Sequence, residues 1–142
     1  MIECCLSILK IIICNMSKNK VVHFEIPASD LKKSKAFYEK IFDWKIELWK
    51  DKGGMAHTTP SDKEGNPTEA GGINGGFYKR KSKSERPSIV VQTNSIDETL
   101  KKIKKAGGKI TTPRHEIGEW GFMADFTDLE GNEIGLWEQS KK

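Results

Sequence analysis

The sequence carries one structural pattern twice. A strand-like run, a capped helical stretch and a second strand-like run fill residues 21–47, and the same succession returns over residues 88–111. Shifting the second copy back by roughly 65 residues superposes the apolar positions of the two copies, among them Ile89 on Phe24. Because each copy has an apolar face to bury, we expect two half-units that pack against each other, with a ligand cleft at their seam.

The length and composition are those of one globular domain. The chain has 142 residues, of which 36% are hydrophobic and 31% are charged. We predict a single domain over residues 21–142, with modules at 21–80 and 88–138 and a linker at 81–87. The net charge of +4 is modest and no nucleic-acid motif accompanies it, so a nucleic acid is not expected as a partner.

The first 20 residues differ from the rest of the chain. All the cysteines precede Met16 and form no disulfide framework; they are Cys4, Cys5 and Cys14. The apolar run at residues 6–13 is too short to span a bilayer and lacks the features of a signal peptide, so we expect a cytoplasmic protein with no membrane partner. Residues 1–20 are predicted to be an extension that is flexible or, before Met16, untranslated. A metal-binding thiol cluster is the alternative, although no histidine lies nearby.

Each module is predicted to contain a strand, a helix and three further strands. Alternating residues indicate the strands, and helical spacing after a capping residue indicates the helices. The first module has predicted strands at 21–26, 44–49, 55–58 and 71–78, and a helix that begins after Ser29 or Asp30. The second has a strand from Ser88, a helix between the Ser95 capping box and Gly107, and strands at 109–113, 120–127 and 133–138. A turn at 128–132 joins the last two strands.

Four motifs carry a resemblance to a known family. They are His23 with Asp30 seven residues on, Phe37-Tyr-Glu-Lys-Ile-Phe-Asp43, Ala106-Gly-Gly-Lys-Ile110, and Asp128-Leu-Glu-Gly-Asn-Glu-Ile-Gly-Leu-Trp137. Over residues 21–138 the chain resembles the vicinal oxygen chelate superfamily, which contains glyoxalase I, bleomycin-resistance proteins and extradiol dioxygenases. Within that group it is similar to the glyoxalase-related proteins of unassigned activity. The resemblance implies an α+β fold of two βαβββ modules whose strongly curved mixed sheets form a cleft.

The resemblance also implies where a divalent metal would bind. Active members hold the metal with one ligand from the first strand and one from the last strand of each half. His23 takes the first place, whereas the others fall near Gly75, near Ser88 and on Gly135. Glycine offers no ligand and a serine hydroxyl is a poor one. We therefore expect no cofactor or a weakly bound divalent metal at His23, and neither glyoxalase I nor iron dioxygenase chemistry.

The alternation of strand side chains predicts what lines the cleft. An inward Gly135 brings Glu133 and Trp137 inward, and an inward His23 brings Glu25. The same argument places Phe77 beside Gly75 and Gln92 beside Ser88. Two positions are possible for each of three other residues. Trp120 and Phe122 either form a cleft wall or join the core. His57 either joins His23 in an alternative metal set or faces solvent or the helix. His115 is predicted to lie in a loop.

Two classes of function follow from this cleft. As an enzyme, the protein would use His23 as a general base with Glu25 or Glu133, for proton transfer at a carbon next to a carbonyl. As a ligand-binding or sequestering protein resembling bleomycin-resistance proteins, it would need only the aromatic and acidic cleft, and His23 would be structural. Both classes bind a small molecule. Exposed edge strands are commonly covered by pairing, so we also predict a homodimer.

Overall fold

The computed structural model describes residues 19–141, so the predictions for the cysteine-bearing segment before Met16 lie outside the described residues. The first module consists of β1 (Val21–Ala28), α1 (Leu31–Phe42), β2 (Lys45–Trp49), β3 (Gly53–His57) and β4 (Asn74–Lys79). The second consists of β5 (Ser88–Gln92), α2 (Ile96–Lys105), β6 (Lys109–Ile117), β7 (Gly121–Thr127) and β8 (Glu133–Gln139). The predicted α+β fold with two βαβββ modules is therefore confirmed.

The strands form one eight-stranded sheet in the order β2-β3-β4-β1-β5-β8-β7-β6. β1 and β5 pair antiparallel at the centre, and each pairs in parallel with the last strand of its own module. The two modules are thus joined by their first strands, and the sheet stays open with β2 and β6 as its edges. Within residues 19–141, neither helix is long and apolar enough to cross a bilayer.

Both helices begin at capping residues that the sequence predicts. The Asp30 carboxylate accepts a hydrogen bond from the Lys33 backbone N–H at 3.0 Å, and the Ser95 hydroxyl accepts one from the Glu98 N–H at 3.2 Å. These side chains satisfy amide groups that have no partner within the helix. α1 ends where Asp43 adopts the left-handed conformation, with φ of 55°.

Each helix covers a separate apolar cluster on the same side of the sheet. Under α1 the buried residues are Ala28, Leu31, Ile46, Ala56 and Phe77, and the rings of Phe24, Tyr38 and Trp44 pack against them. Under α2 the buried residues are Ile96, Leu100, Ala124 and Leu136. Burial of these two clusters leaves the opposite side of the sheet free to form a site.

The second module differs from the prediction around its first hairpin. β6 extends to Ile117, so His115 lies in a strand opposite Met123 and not in a loop. Pro113 was expected to end the strand, but β6 is an edge strand, where the missing proline N–H leaves no ladder hydrogen bond unmade. The pairing of β6 with β7 accommodates Pro113 through register shifts on either side of Thr112.

Candidate functional site

The positions of the helices decide which side chains face the cleft. In β1, Phe24 and Ile26 pack under α1, so His23 and Glu25 project from the opposite side of the sheet. We call that opposite side the cleft face. Paired residues project to the same side, so a row on the cleft face continues from His23 across the neighbouring strands through Val90, Gly135 and Asp125. The centre of the cleft is thus built from both modules.

His23 and Glu25 form the central polar pair of the cleft face. The imidazole Nε2 lies 3.0 Å from Glu25 Oε1, and the two side chains are 23% and 24% exposed. Two residues apart on one strand, they necessarily point the same way. Glu25 has room because its neighbour on β4 is Gly76, where a Cβ would lie 2.7 Å from Glu25 Oε2. The pair is therefore both oriented and partly accessible.

Asp125 on β7 is a cleft residue that we did not predict. One of its carboxylate oxygens lies 3.4 Å from the point that a Cβ on Gly135 would occupy, and Val90 Cγ2 lies 3.0 Å from the same point. Burial raises the pKa of Asp125, and the negative charges of Glu133 and Glu25 raise it further. A hydrogen bond with Thr112 and the nearby His115 act in the opposite direction. The second module thus places a half-buried carboxyl group beside the centre of the cleft.

The hairpin turn contained the signal for Asp125. The predicted turn at 128–132 fixes Thr127 opposite Glu133, and counting two residues back on each strand sets Asp125 opposite Gly135. The inward orientation expected for Gly135 therefore implies the same orientation for Asp125.

Tyr78 on β4 is a second residue that the sequence argument missed. It projects to the same side as Gly76, and it pairs with Pro27 of β1. Burial raises the pKa of the Tyr78 hydroxyl, and the charges of Glu85, Glu133 and Glu25 act in the same direction. A phenol therefore lies close to the acidic groups at this end of the cleft.

The expected inward positions of Gly75 and Phe77 are wrong. A Cβ on Gly75 would lie 2.1 Å from a ring carbon of Phe24, which places this glycine on the side covered by α1. Phe77 is only 3% exposed and contacts Tyr38, with 5.3 Å between ring centroids. The cause is a shift of one residue in β4, because His23 pairs with Asn74 and not with Gly75. The floor space expected at Gly75 is therefore absent.

The other predicted ligand-binding residues are divided between the two sides. Phe122 packs with the α2 cluster and lies 3.5 Å from the Arg114 guanidinium, so it does not form a cleft wall. Trp120 precedes β7 and is 62% exposed. Gln92 and Trp137 are paired on the cleft face, and the Trp137 ring lies against Gly121.

His57 and Glu133 also project to the cleft face. His57 follows the buried Ala56 on β3 and pairs with Lys45 near the sheet edge. Glu133 alternates with Gly135 on β8 and accepts a hydrogen bond from the Thr111 hydroxyl at 3.2 Å. Glu133 therefore has the predicted orientation, and His57 takes the inward one of the two positions left open for it. The roles of both residues in binding or catalysis stay predictions.

The residues present do not fit the metal that the fold family implies. Of the positions in line with His23, Val90 and Gly135 offer no ligand. The Asn74 side chain is already used, since it accepts from the Thr58 N–H at 2.9 Å and donates to Ser61 Oγ at 2.7 Å. Across residues 19–141, no three His, Cys, Asp or Glu side chains are grouped so that they could hold a metal ion. The alternative set with His57 is therefore not assembled.

Comparison with protein families gives one match that spans most of the chain. The family model described as Glyoxalase/Bleomycin resistance protein/Dioxygenase superfamily matches residues 20–136. A comparison with curated proteins finds no match.

Solved structures share the fold at low sequence identity. The hypothetical protein BH1468 from Bacillus halodurans C-125 has a TM-score of 0.61 and 15% identity, over 89% of this chain and 98% of that one. A variant of Streptomyces coelicolor methylmalonyl-CoA epimerase in complex with 2-nitronate-propionyl-CoA has a TM-score of 0.63 and 13% identity, over 88% and 100%. A superfamily member from Vibrio splendidus 12B01 has a TM-score of 0.58 and 8% identity, over 86% and 100%.

Proposed function

Because the chain belongs to the glyoxalase/bleomycin resistance protein/dioxygenase superfamily, we propose that its cleft face binds a small carbonyl compound and that His23 moves a proton at the adjacent carbon. The observation that carries this proposal is the 3.0 Å contact between His23 and Glu25 on the cleft face. A carboxylate that accepts from one imidazole nitrogen holds the ring in one orientation and leaves the other nitrogen basic. The proposed reaction uses no resident metal, because the row around His23 lacks the ligands for one.

The proposed step is a simple proton transfer. With the Nε2 proton donated to Glu25, the Nδ1 lone pair of His23 takes a proton from the carbon next to the substrate carbonyl. The C–H bond breaks, an N–H bond forms, and the electron pair moves onto the carbonyl oxygen. Returning the proton to that carbon completes an isomerisation or an exchange with solvent. General base catalysis of this kind typically contributes about 10²–10⁴-fold.

Solvent deuterium exchange tests this proposal. We would follow the loss of the proton signal beside the carbonyl in D₂O for pyruvate, propionyl-CoA, methylmalonyl-CoA and the hemithioacetal of methylglyoxal with glutathione. Acyl thioesters are included because one structural neighbour is named as an epimerase that holds 2-nitronate-propionyl-CoA.

The variants make the test specific. His23→Gln should lower exchange of an accepted probe by about 10²-fold or more, and Glu25→Gln by less. Glu98→Gln is the matched control, since this exposed carboxylate lies on α2, on the other side of the sheet, and pairs with Lys101. Exchange by wild type that survives in His23→Gln, or no exchange of any probe, contradicts the proposal.

Ligand binding without catalysis is the second candidate function. It is favoured by the charge of the cleft face, where the negative charges of Glu133 and Glu25 raise the pKa of Asp125 beyond the effect of burial, and by the aromatic surface of Trp137. Such a cleft suits a flat ligand with hydrogen-bond donors. A thermal-shift panel of aromatic amines and neutral aromatics would identify this function, because a ligand at 100 times its Kd stabilises the folded state by about 2.7 kcal/mol.

The proposed assembly is a cytoplasmic homodimer. Support comes from the edge strands β2 and β6, whose outer backbone groups have no neighbouring strand within the described sheet. Light scattering at micromolar concentration should give twice the mass of one chain, and a single-chain mass contradicts the prediction.

A further inference from the structure

Four exposed apolar side chains lie on the helix side of the sheet near the start of β1, and we call them the central apolar patch. They are Val21 and Ile89 on the two central strands, which are 42% and 43% exposed, and Ile41 and Phe42 at the end of α1, which are 52% and 54% exposed. Single exposed apolar residues are ordinary on a protein surface, but a group of them in one place is typical of a surface that something covers.

The pairing of β1 with β5 places the two strand residues of the patch on the helix side. Ile89 pairs with Phe24, which packs under α1. Val21 pairs with Val91, which packs against the α2 cluster. Since paired residues project to the same side, Val21 and Ile89 lie between the two helix-covered clusters, on the side of the sheet opposite His23.

The end of α1 turns Ile41 toward these strands. The Glu39 carboxylate accepts a hydrogen bond from the Ile46 N–H of β2 at 3.0 Å, which fixes one flank of the helix to the edge of the first module. Ile41 lies two residues further on, about 200° around the helix. It therefore faces away from β2 and toward the middle of the sheet.

Phe42 joins the patch through two ring contacts. Its ring centroid lies 5.2 Å from that of Trp44, and the Trp44 ring lies 5.8 Å from Phe24, the partner of Ile89. The last turn of α1 therefore lies over the first half of β1, the strand that begins at Val21. The four side chains of the patch thus belong to one end of the sheet.

We infer that the central apolar patch is the docking surface for residues 6–13 of this same chain. The sequence of this segment, Leu6-Ser-Ile-Leu-Lys-Ile-Ile-Ile13, contains six Leu or Ile residues among eight. Exposing such a run to water is unfavourable, and burying it against other apolar side chains removes that cost. A docked segment and the flexible extension predicted from the sequence are alternatives that give different results on proteolysis.

The patch lies within reach of the segment. The Lys20 carbonyl accepts a hydrogen bond from the Gln92 N–H at 2.8 Å, so the chain runs beside β5 immediately before it enters the patch at Val21. Residues 14–18 span at most about 18 Å, and α1 with its 12 residues is also about 18 Å long. A tethered segment has an effective concentration of about 1 mM near its attachment point, whereas a second copy competes at its bulk concentration. The chain's own segment is therefore the favoured occupant.

Trypsin cleavage after Lys10 in the full chain measures the docking. Lys10 lies within the segment, so a docked segment should be cleaved there slowly. Ile41→Asp places a charge in the patch and should accelerate this cleavage by about tenfold or more, because the protease acts on the undocked form. Ala36→Asp is the matched control, since this exposed residue lies on a different face of the same helix, and it should leave the rate unchanged. An amide fingerprint spectrum of each variant shows that the fold is retained.

A contact measurement in the wild-type chain needs no variant. With isoleucine methyl groups labelled, nuclear Overhauser contacts should join the methyl groups of residues 6–13 to the Phe42 ring and to Ile89 within one chain. A cleavage rate that is the same in wild type and in Ile41→Asp overturns the inference. Contacts that appear only between differently labelled chains also overturn it, because a second copy would then cover the patch. His23→Gln should not change the cleavage rate, so the proposed function and this inference fail on different results.

Discussion

The two modules share one frame, but they fill it with different side chains. The first packs α1 with aromatic rings, and Tyr38 stacks on Trp44 with 5.4 Å between centroids and 4° between planes. The second buries mainly aliphatic side chains under α2, among them Ile96, Leu100 and Leu136, and Phe122 and Phe126 pack against them only partly buried. The same βαβββ topology therefore does not require the same core. It requires an apolar face on each helix and on one side of each half-sheet.

The cleft face shows the same divergence. The first module contributes an imidazole with its carboxylate, His23 and Glu25, from β1. The equivalent strand of the second module, β5, offers Ser88 and the buried Val90, and the polar contribution moves outward to Asp125 on β7. The duplicated frame thus carries unequal groups on one face, namely an oriented imidazole from the first module and a half-buried carboxyl group from the second.

The largest effect is expected from the aromatic core. Phe77→Ala should lower the free energy of unfolding by about 3–5 kcal/mol, because it leaves a cavity under α1. Phe37→Ala is the matched control on the helix surface, where the ring is 56% exposed, and its cost should stay below about 1 kcal/mol. Urea unfolding measures both. If Phe77→Ala changed stability only slightly but abolished ligand binding, the ring would have to line the cleft and not the core.

Glycine substitutions compare the two sides of the sheet. Gly75→Ala should destabilise by about 1–3 kcal/mol, because its methyl group would meet Phe24 ring carbons at 2.1–2.4 Å. Gly135→Ala should cost less than about 1 kcal/mol, since its nearest contacts are Val90 at 3.0 Å and Asp125 at 3.4 Å. Thermal or urea unfolding separates the two. Equal costs would mean that Gly135 is as tightly covered as Gly75.

The two helix caps should differ in how their contribution to stability depends on pH. Ser95→Ala should cost about 0.5–2 kcal/mol at every pH, because the serine does not titrate in the working range. The pKa of Asp30 lies below its ordinary value of 3.8, chiefly because the Lys33 N–H donates to the carboxylate. Its contribution is therefore present above pH 3.8 and is lost as the pH falls through the lowered pKa. The cost of Asp30→Ala should shrink in that acidic range, as urea titrations at several pH values would reveal.

Local rules predicted those parts of the fold that are set by nearby residues. The caps at Asp30 and Ser95 and the β7–β8 turn depend on contacts within a few residues, and all three are found as predicted. The register of β4 against β1 depends on a crossover through the long loop that ends at Asn74, and no turn chemistry fixes that length. A shift of one residue there exchanged the two sides of the strand and misplaced Phe77.

Asp125 should show a pH dependence opposite to that of the surface carboxylates. Its raised pKa means that its contribution is fully present below the ordinary value of 3.8 and is lost as the pH rises through the folded-state pKa. Asp125→Asn should therefore be more stable than wild type near pH 7, and the difference should fade on acidification. Glu47→Gln should behave in the opposite way, because a hydrogen bond from Lys45 lowers the pKa of Glu47. Urea midpoints between about pH 3 and pH 8 would distinguish the two directions, and a parallel response would contradict the half-buried position of Asp125.

The smallest effect is expected from removing metal. A site with several strong ligands stabilises the folded state substantially, whereas His23 has Asn74, Val90 and Gly135 as its in-line neighbours and none is free to coordinate. A chelator should therefore leave the melting temperature almost unchanged, and added zinc or nickel should raise it only slightly. Metal analysis of the protein purified without chelator should give clearly less than one ion per chain. One tightly held ion that is lost in His23→Ala would contradict this expectation. It would also require Glu25 to rotate away from the imidazole to become a ligand, because Glu25 is the carboxylate in contact with His23.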